Sequence, residues 1–136
     1  TPMVSHHADT PGGERLARRL SEPSLYRSFL GFLGSRGYAI PPEVLDRDPS
    51  LPPVEDERVR TTLIQIYRED PATREVCERL VDLDEGFQEW RYRHVKMVER
   101  TIGTKSGTGG SSGADYLRRT LFRPFFPDLW SIRADL

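Results

Sequence analysis

The sequence predicts an all-α chain, and three observations carry that prediction. Apolar residues recur at steps of three and four in three separate segments. The breaks between those segments fall at glycines or at an Asp-Pro pair, where helices stop and start. The longest segment, Pro71 to Thr101, keeps one apolar line throughout and would be roughly 45 Å long at about 1.5 Å per residue.

The elements follow in chain order. Thr1 to Gly13 is polar and aperiodic, with Pro2, Pro11 and a glycine pair, so residues 1–22 read as a mobile N-terminal arm ahead of a helical body over 23–136. Its adjacent His6 and His7 could bind metal, but paired histidines in such an arm are most often solvated. From Ser24 onward, Leu25, Phe29, Leu30 and Leu33 mark a short amphipathic helix that Gly34 and Gly37 bring to a stop. Five prolines between Ala39 and Pro53 remove amide donors and fix φ, which predicts an extended surface connection. Val59, Leu63, Ile66 and Tyr67 signal a second helix, which ends at Asp70. Read forward, Asp70-Pro71 is an N-cap followed by a first-turn proline, so a third helix begins where the second stops. That helix carries Val76, Leu80, Leu83, Phe87, Trp90, His94, Met97 and Thr101 at alternating steps of four and three, a stripe expected to face the core. After a glycine-rich stretch, Tyr116, Leu117 and Leu121 suggest a short helix. Phe122 to Trp130 is an aromatic run broken by Pro124 and Pro127, and Asp128 to Leu136 suggests a last turn or two.

Composition limits what the chain can do. Its 136 residues suffice for one small domain, but 36% apolar content and a mean hydropathy of −0.59 are lean for a self-sufficient core, which points toward a larger assembly. Twenty basic and 21 acidic residues are interspersed, giving a net charge of −1 and no block suited to nucleic acid or an anionic membrane. Only Lys96 and Lys105 among the cations are lysine, a bias read as genomic. The lone Cys77 excludes an intrachain disulfide, and nothing in its helical setting marks it as reactive. No apolar run approaches the roughly 18 residues of a membrane span and no signal peptide is visible, so the expected location is the cytoplasm.

Two features carry chemistry. His94 is an imidazole in a line where every preceding member is apolar. Spacing alone leaves two readings, a satisfied core histidine and a metal ligand. No Cys-x-x-Cys, His-x-x-x-His or same-face carboxylate lies within a turn, so a metal there would have to bring its remaining ligands with it, as haem iron does. The second feature is Gly103 to Gly113. It can be a flexible linker, a tight turn between helices, or an anion cradle built from consecutive amides and the hydroxyls of Thr108, Ser111 and Ser112. It lacks the preceding strand and the Gly-Lys-Ser/Thr ending of a P-loop, which argues against nucleotide binding.

The run FQEWRYRHVKMVERTIGTKSGTGGSSGADYLRRTL resembles the C-terminal signature of the tryptophan 2,3-dioxygenase family. PSLYRSFLGFLGSRGYAIP and LVDLDEGFQEW upstream, and FFPDLWSIRADL downstream, extend the similarity over Pro23 to Leu136. The resemblance implies a long-helix bundle of the haem-dependent tryptophan/indoleamine dioxygenase type. It implies haem b as cofactor, with His94 at the RHV position as the axial ligand to iron and Trp90, Val98 and Ile102 as neighbours in its pocket. It further implies that Thr108, in the GTGG motif, contacts the ammonium and carboxylate of the substrate, with Gly109 and Gly110 allowing close backbone approach. The implied reaction inserts both atoms of dioxygen across the indole 2,3 bond of L-tryptophan, giving N-formylkynurenine in the kynurenine pathway. The implied assembly is a homo-oligomer, a tetramer in the family.

The departures matter equally. Family members carry an N-terminal half with a distal histidine in a Phe-x-x-x-His-Glu setting, and an arginine that pairs with the substrate carboxylate. Neither occurs here, His6 and His7 do not fit that setting, and no catalytic residue is assigned within this chain. The sequence therefore reads as the C-terminal haem-binding half of a fold that is incomplete without a distal half. Three functions remain open: part of a tryptophan-cleaving dioxygenase, a haem oxygenase or peroxygenase of secondary metabolism acting on another aromatic substrate, and a non-catalytic haem-binding remnant. Products carrying two oxygens, one oxygen or none would separate them.

Overall fold

A computed structural model describes residues 10–102 and 123–136 of the chain. Among the described residues every regular element is helical: α1 (Pro11–Ser21), α2 (Leu25–Ser35), α3 (Pro42–Leu45), α4 (Glu57–Glu69), α5 (Pro71–Ile102) and α6 (Pro127–Ser131), followed by a 3-10 turn over Ile132–Asp135. The all-α prediction holds. The short helix expected around Tyr116, Leu117 and Leu121 lies outside the described residues.

The chain divides into two compact units. One comprises Pro23–Glu85 with Pro124–Leu136, the other Thr1–Glu22 with Gly86–Arg123, so α5 contributes its first half to one and its second half to the other.

The unit of Pro23–Glu85 and Pro124–Leu136 holds the main apolar core. Tyr26, Phe29, Leu30 and Leu33 of α2 meet Val59, Leu63, Ile66 and Tyr67 of α4, Cys77 and Val81 of α5, and Phe126, Leu129 and Ile132 near the C-terminus. Phe29 and Phe126 pack edge to face with ring centroids 5.3 Å apart, the geometry their ring quadrupoles favour. α2 ends as its glycines predict. Gly37 takes a positive φ of 95°, and the Tyr38 amide donates back to the Leu33 carbonyl at 3.1 Å, closing the helix end.

The junction of α4 and α5 is built around Asp70. Its Oδ1 accepts from the Thr73 amide at 3.1 Å, and its Oδ2 accepts from the Thr73 hydroxyl at 2.7 Å and the Tyr38 hydroxyl at 2.6 Å. These donors, Thr73 foremost, hold the carboxyl well below its ordinary value, at about 2. One residue thus terminates α4 and caps α5, as the Asp-Pro pair predicts.

Two carboxylates tie the C-terminal segment down. Asp84, fully buried, accepts from the Phe125 amide (3.0 Å), the Phe126 amide (2.9 Å) and the Trp130 indole N–H (3.0 Å). Asp128, also buried, accepts from the Tyr26 hydroxyl at 2.6 Å and from the Asp56 amide at 3.0 Å. Burial raises the Asp128 carboxyl above its usual range, against the opposing effect of its hydrogen bonds.

Three expectations change. The arm read over residues 1–22 contains α1: Thr10 caps it by accepting from the Gly13 amide at 3.0 Å, and Pro11 and Glu14 suit its first turn. The Gly pair at its start, and its short apolar period of Leu16, Ala17 and Leu20 among arginines, hide that helix from a reading of the sequence. The proline-rich connection is interrupted by α3, whose Val44 and Leu45 pack on the core.

The third change is the largest. The α5 stripe expected to be buried is largely exposed: Leu83 is 44% accessible, Trp90 59% and Met97 54%, with Val76 and Phe87 close behind. The line turned inward is instead Thr73, Cys77, Val81 and Asp84, with Val95 further on. Within this line Asp84 answers the donors of residues 125–130. The bulky stripe lies about a quarter-turn away around the helix, and only Leu80 at its edge packs against the core.

Candidate functional site

The C-terminal half of α5 carries the candidate site. Trp90 and His94 are one turn apart, so their rings lie one above the other on the same face. The rings are stacked, with centroids 4.8 Å apart and planes 11° from parallel. Stacking fixes the tilt of the imidazole without using either nitrogen. Among the described residues neither nitrogen of the half-buried His94 has a hydrogen-bond partner.

Val98 and Ile102 follow His94 at successive turns and are half-buried. The four residues named as one pocket thus occupy consecutive turns of a single helix, with Trp90 exposed and the other three half-buried. Thr108, Gly109 and Gly110, the proposed substrate contacts, lie outside the described residues, as do His6 and His7.

The donor set is informative. Among the described residues no group of three or more His, Cys, Asp or Glu side chains is placed to hold a metal ion. Cys77 is buried and its thiol is pushed up to about 12, chiefly by burial, so it is neither a ligand nor a nucleophile at neutral pH. A metal at His94 would therefore have one protein ligand from these residues, a match for iron already held by a porphyrin.

Two features escaped the sequence reading. Asp84 positions Phe125, Phe126 and Trp130, and the signal was present: it continues the Cys77–Val81 line at i+4 and i+7. Arg93, Lys96 and Arg100 gather on the side of α5 next to Met97 and Thr101. Scattered through the sequence, they look like an ordinary solvated face.

The family model described as tryptophan 2,3-dioxygenase matches residues 56–136, more than half of the chain and the whole of α4 and α5. The chain belongs to the tryptophan 2,3-dioxygenase family. It is similar to tryptophan 2,3-dioxygenase of Herpetosiphon aurantiacus, 60% identical over 134 residues that cover 98% of this chain and 51% of that protein. The enzymes of that name from Anaeromyxobacter sp. strain K (55% identical, 93% of this chain, 47% of that protein) and Kineococcus radiotolerans (46% identical, 94% and 46%) align in the same way. The chain spans about half the length of the curated relatives it matches, and corresponds to their C-terminal half. Within this tryptophan 2,3-dioxygenase half, no helix among the described residues is long and apolar enough to cross a membrane.

Proposed function

We propose that this chain supplies the haem-holding face of a tryptophan 2,3-dioxygenase, and that with the remaining half of the fold it takes part in oxidative opening of the indole ring of L-tryptophan to N-formylkynurenine. One observation carries the reading: His94 stands in an exposed apolar stripe, with its ring tilt set by Trp90 and no hydrogen-bond partner on either nitrogen among the described residues. A structural histidine of a finished core would spend those nitrogens on protein partners. The printed names of the relatives give the reaction class.

The residues fit the cofactor. Histidine binds iron through a neutral ring nitrogen, and the Trp90 stack orders the ring at little cost, since both residues belong to one rigid helix. Phe87 and Met97 extend an apolar surface on either side of His94 that suits a flat macrocycle and excludes water. Haem b, when bound, would supply the activation of dioxygen that lets both oxygen atoms add across the indole 2,3 bond, with the indole ring as the only group oxidised and no external reductant consumed. Val98 and Ile102 close the apolar floor behind the imidazole. In this reading Thr108 meets the ammonium and carboxylate of tryptophan, and Gly109 and Gly110 allow the backbone to come close. The working form is a cytoplasmic homo-oligomer, whose further surfaces cover the exposed stripe.

The test is spectroscopic. Haemin added to the chain gives a Soret band characteristic of histidine ligation, and His94→Ala abolishes it while leaving helicity unchanged. An unaltered band in that variant would falsify the assignment. With the other half of the fold present, Thr108→Ala keeps the haem spectrum and raises the tryptophan concentration needed to perturb it by about tenfold, the effect of losing one charge-assisted hydrogen bond. An unchanged midpoint would remove Thr108 from the substrate contacts.

A further inference from the structure

The two buried carboxylates that hold the C-terminal segment are not equally provided for. Asp84 collects three donors. Asp128, 1% exposed, collects two on its side chain, the Tyr26 hydroxyl of α2 at 2.6 Å on Oδ2 and the Asp56 amide ahead of α4 at 3.0 Å on Oδ1. Neither donor carries a charge, and among the described residues Asp128 has no ion pair.

The charged groups around it do not supply the missing countercharge. Glu55 and Asp56 are carboxylates whose fields oppose a further negative charge at Asp128. Arg58, in the first turn of α4, is taken by Asp56 at 3.0 Å and by Glu43 of α3 at 2.6 Å. Arg60, one residue past Val59, is taken by Glu57 at 2.9 Å and Asp135 at 2.6 Å, and Arg47, in the loop after α3, acts on Tyr26. An ionised carboxyl buried without a cation is costly, and neutral donors offset only part of that cost. The protonated acid suits the site better. Its O–H can donate to the Tyr26 Oη, because a phenol accepts as well as donates, while its second oxygen keeps the Asp56 amide.

We propose that Asp128 is a proton-operated latch: as pH falls its carboxyl takes up a proton, and the C-terminal segment is then held more tightly against α2 and the start of α4. Burial, reinforced by Glu55 and Asp56, raises this carboxyl above its ordinary 3.8. Its contribution to holding the segment is therefore complete below 3.8 and is lost as pH rises through the higher folded value. Asp70 runs the other way, since its contribution is lost as pH falls from 3.8 toward about 2. Acidification thus closes the latch before it weakens the junction of α4 and α5. The segment so held carries Phe126, Leu129 and Ile132, all fully buried, so the latch governs how readily this side of the core opens.

The first test is a carbon-13 NMR titration of the aspartate carboxyls in the full 136-residue chain, assigned through the backbone. Asp128 should titrate above 3.8, and Tyr26→Phe should move its midpoint further up, because the lost phenol donates to the charged form. A midpoint at or below 3.8 overturns the latch, and so does one that Tyr26→Phe leaves in place. The second test is amide hydrogen exchange over residues 124–136, corrected for the intrinsic pH dependence of exchange. Protection should rise about twofold or more between about pH 7 and about pH 4.5, and the rise should vanish in Asp128→Asn, which has no proton to gain. An equal rise in that variant assigns the effect to another group and overturns the proposal. Should Asp128→Asn fail to fold, the titration of the unaltered chain and of Tyr26→Phe still decides.

Discussion

Helix α5 presents two faces that a helical wheel ranks in the wrong order. One carries Thr73, Cys77, Val81, Asp84 and Val95, a mixture of small, polar and charged residues, and it is buried. The other carries Val76, Leu83, Phe87, Trp90 and Met97, and it is more than a third exposed at every one of them. The difference teaches that apolar character alone does not decide which side of a helix is the core. The inward side of α5 is chosen by what it must answer, namely the amides of Phe125 and Phe126 and the Trp130 indole, all collected by Asp84. The outward side is left as a row of exposed apolar side chains, the kind of surface that interaction sites present.

The largest effect expected from breaking this contrast lies at Asp84. Replacing it with alanine removes three hydrogen bonds to a charged acceptor and strands their donors in a buried site. The cost should be about 3 kcal/mol, read as a lowered urea midpoint with an unchanged slope. Asp84→Asn should cost less, since one oxygen still accepts. A midpoint unmoved by Asp84→Ala would mean that the C-terminal segment is held by its apolar contacts alone, and that the polar inward face is incidental.

How much of this was legible beforehand can be followed residue by residue. The end of α4 and the start of α5 were readable because Asp70 is a local signal that acts within three residues of itself; the Asp56 cap that starts α4 was not read. The stop of α2 at Gly37 was readable for the same reason. The burial of Asp84 was harder to read: it continues the Cys77–Val81 line, but the donors that make a buried carboxylate tolerable lie more than forty positions further along the chain. The stripe was recognised as apolar, correctly, and assigned to the wrong side, because periodicity fixes the angle between residues and not the direction in which a helix is turned. His94 stood out on that stripe whichever way it faced. The odd residue survived the reversal, and its meaning changed from a core histidine needing partners to a half-buried one on an outward face, with no hydrogen-bond partner among the described residues.

A smaller effect separates the cap from the faces. Asp70 has a folded pKa of about 2 against an ordinary 3.8, so its contribution to stability is complete above the higher value and lost as pH falls through the lower one. Removing its two hydroxyl donors with Thr73→Val and Tyr38→Phe, while the Thr73 amide still donates, should return the carboxyl part of the way toward 3.8. The double variant's stability should then become flatter between pH 4 and pH 2, as measured by thermal midpoints at each pH. A slope identical to that of the unaltered chain would show that the helix junction does not depend on these donors.

The smallest effect on stability should come from the outward face, and it is the most discriminating. Trp90→Ser removes the ring that stacks on His94 but takes away little buried area, since Trp90 is 59% exposed. The urea midpoint should move by no more than about 0.5 kcal/mol, the usual scale of a surface substitution. Haemin affinity should fall by about tenfold, because an imidazole free to swing must be ordered when it binds, and its apolar neighbour no longer shields the site from water. A stripe that were merely core turned outward by accident would give the opposite pattern, a loss of stability with no change in haemin binding. If haemin binds as proposed, stability and binding should respond to separate faces of one helix, the first to Asp84 and the second to Trp90.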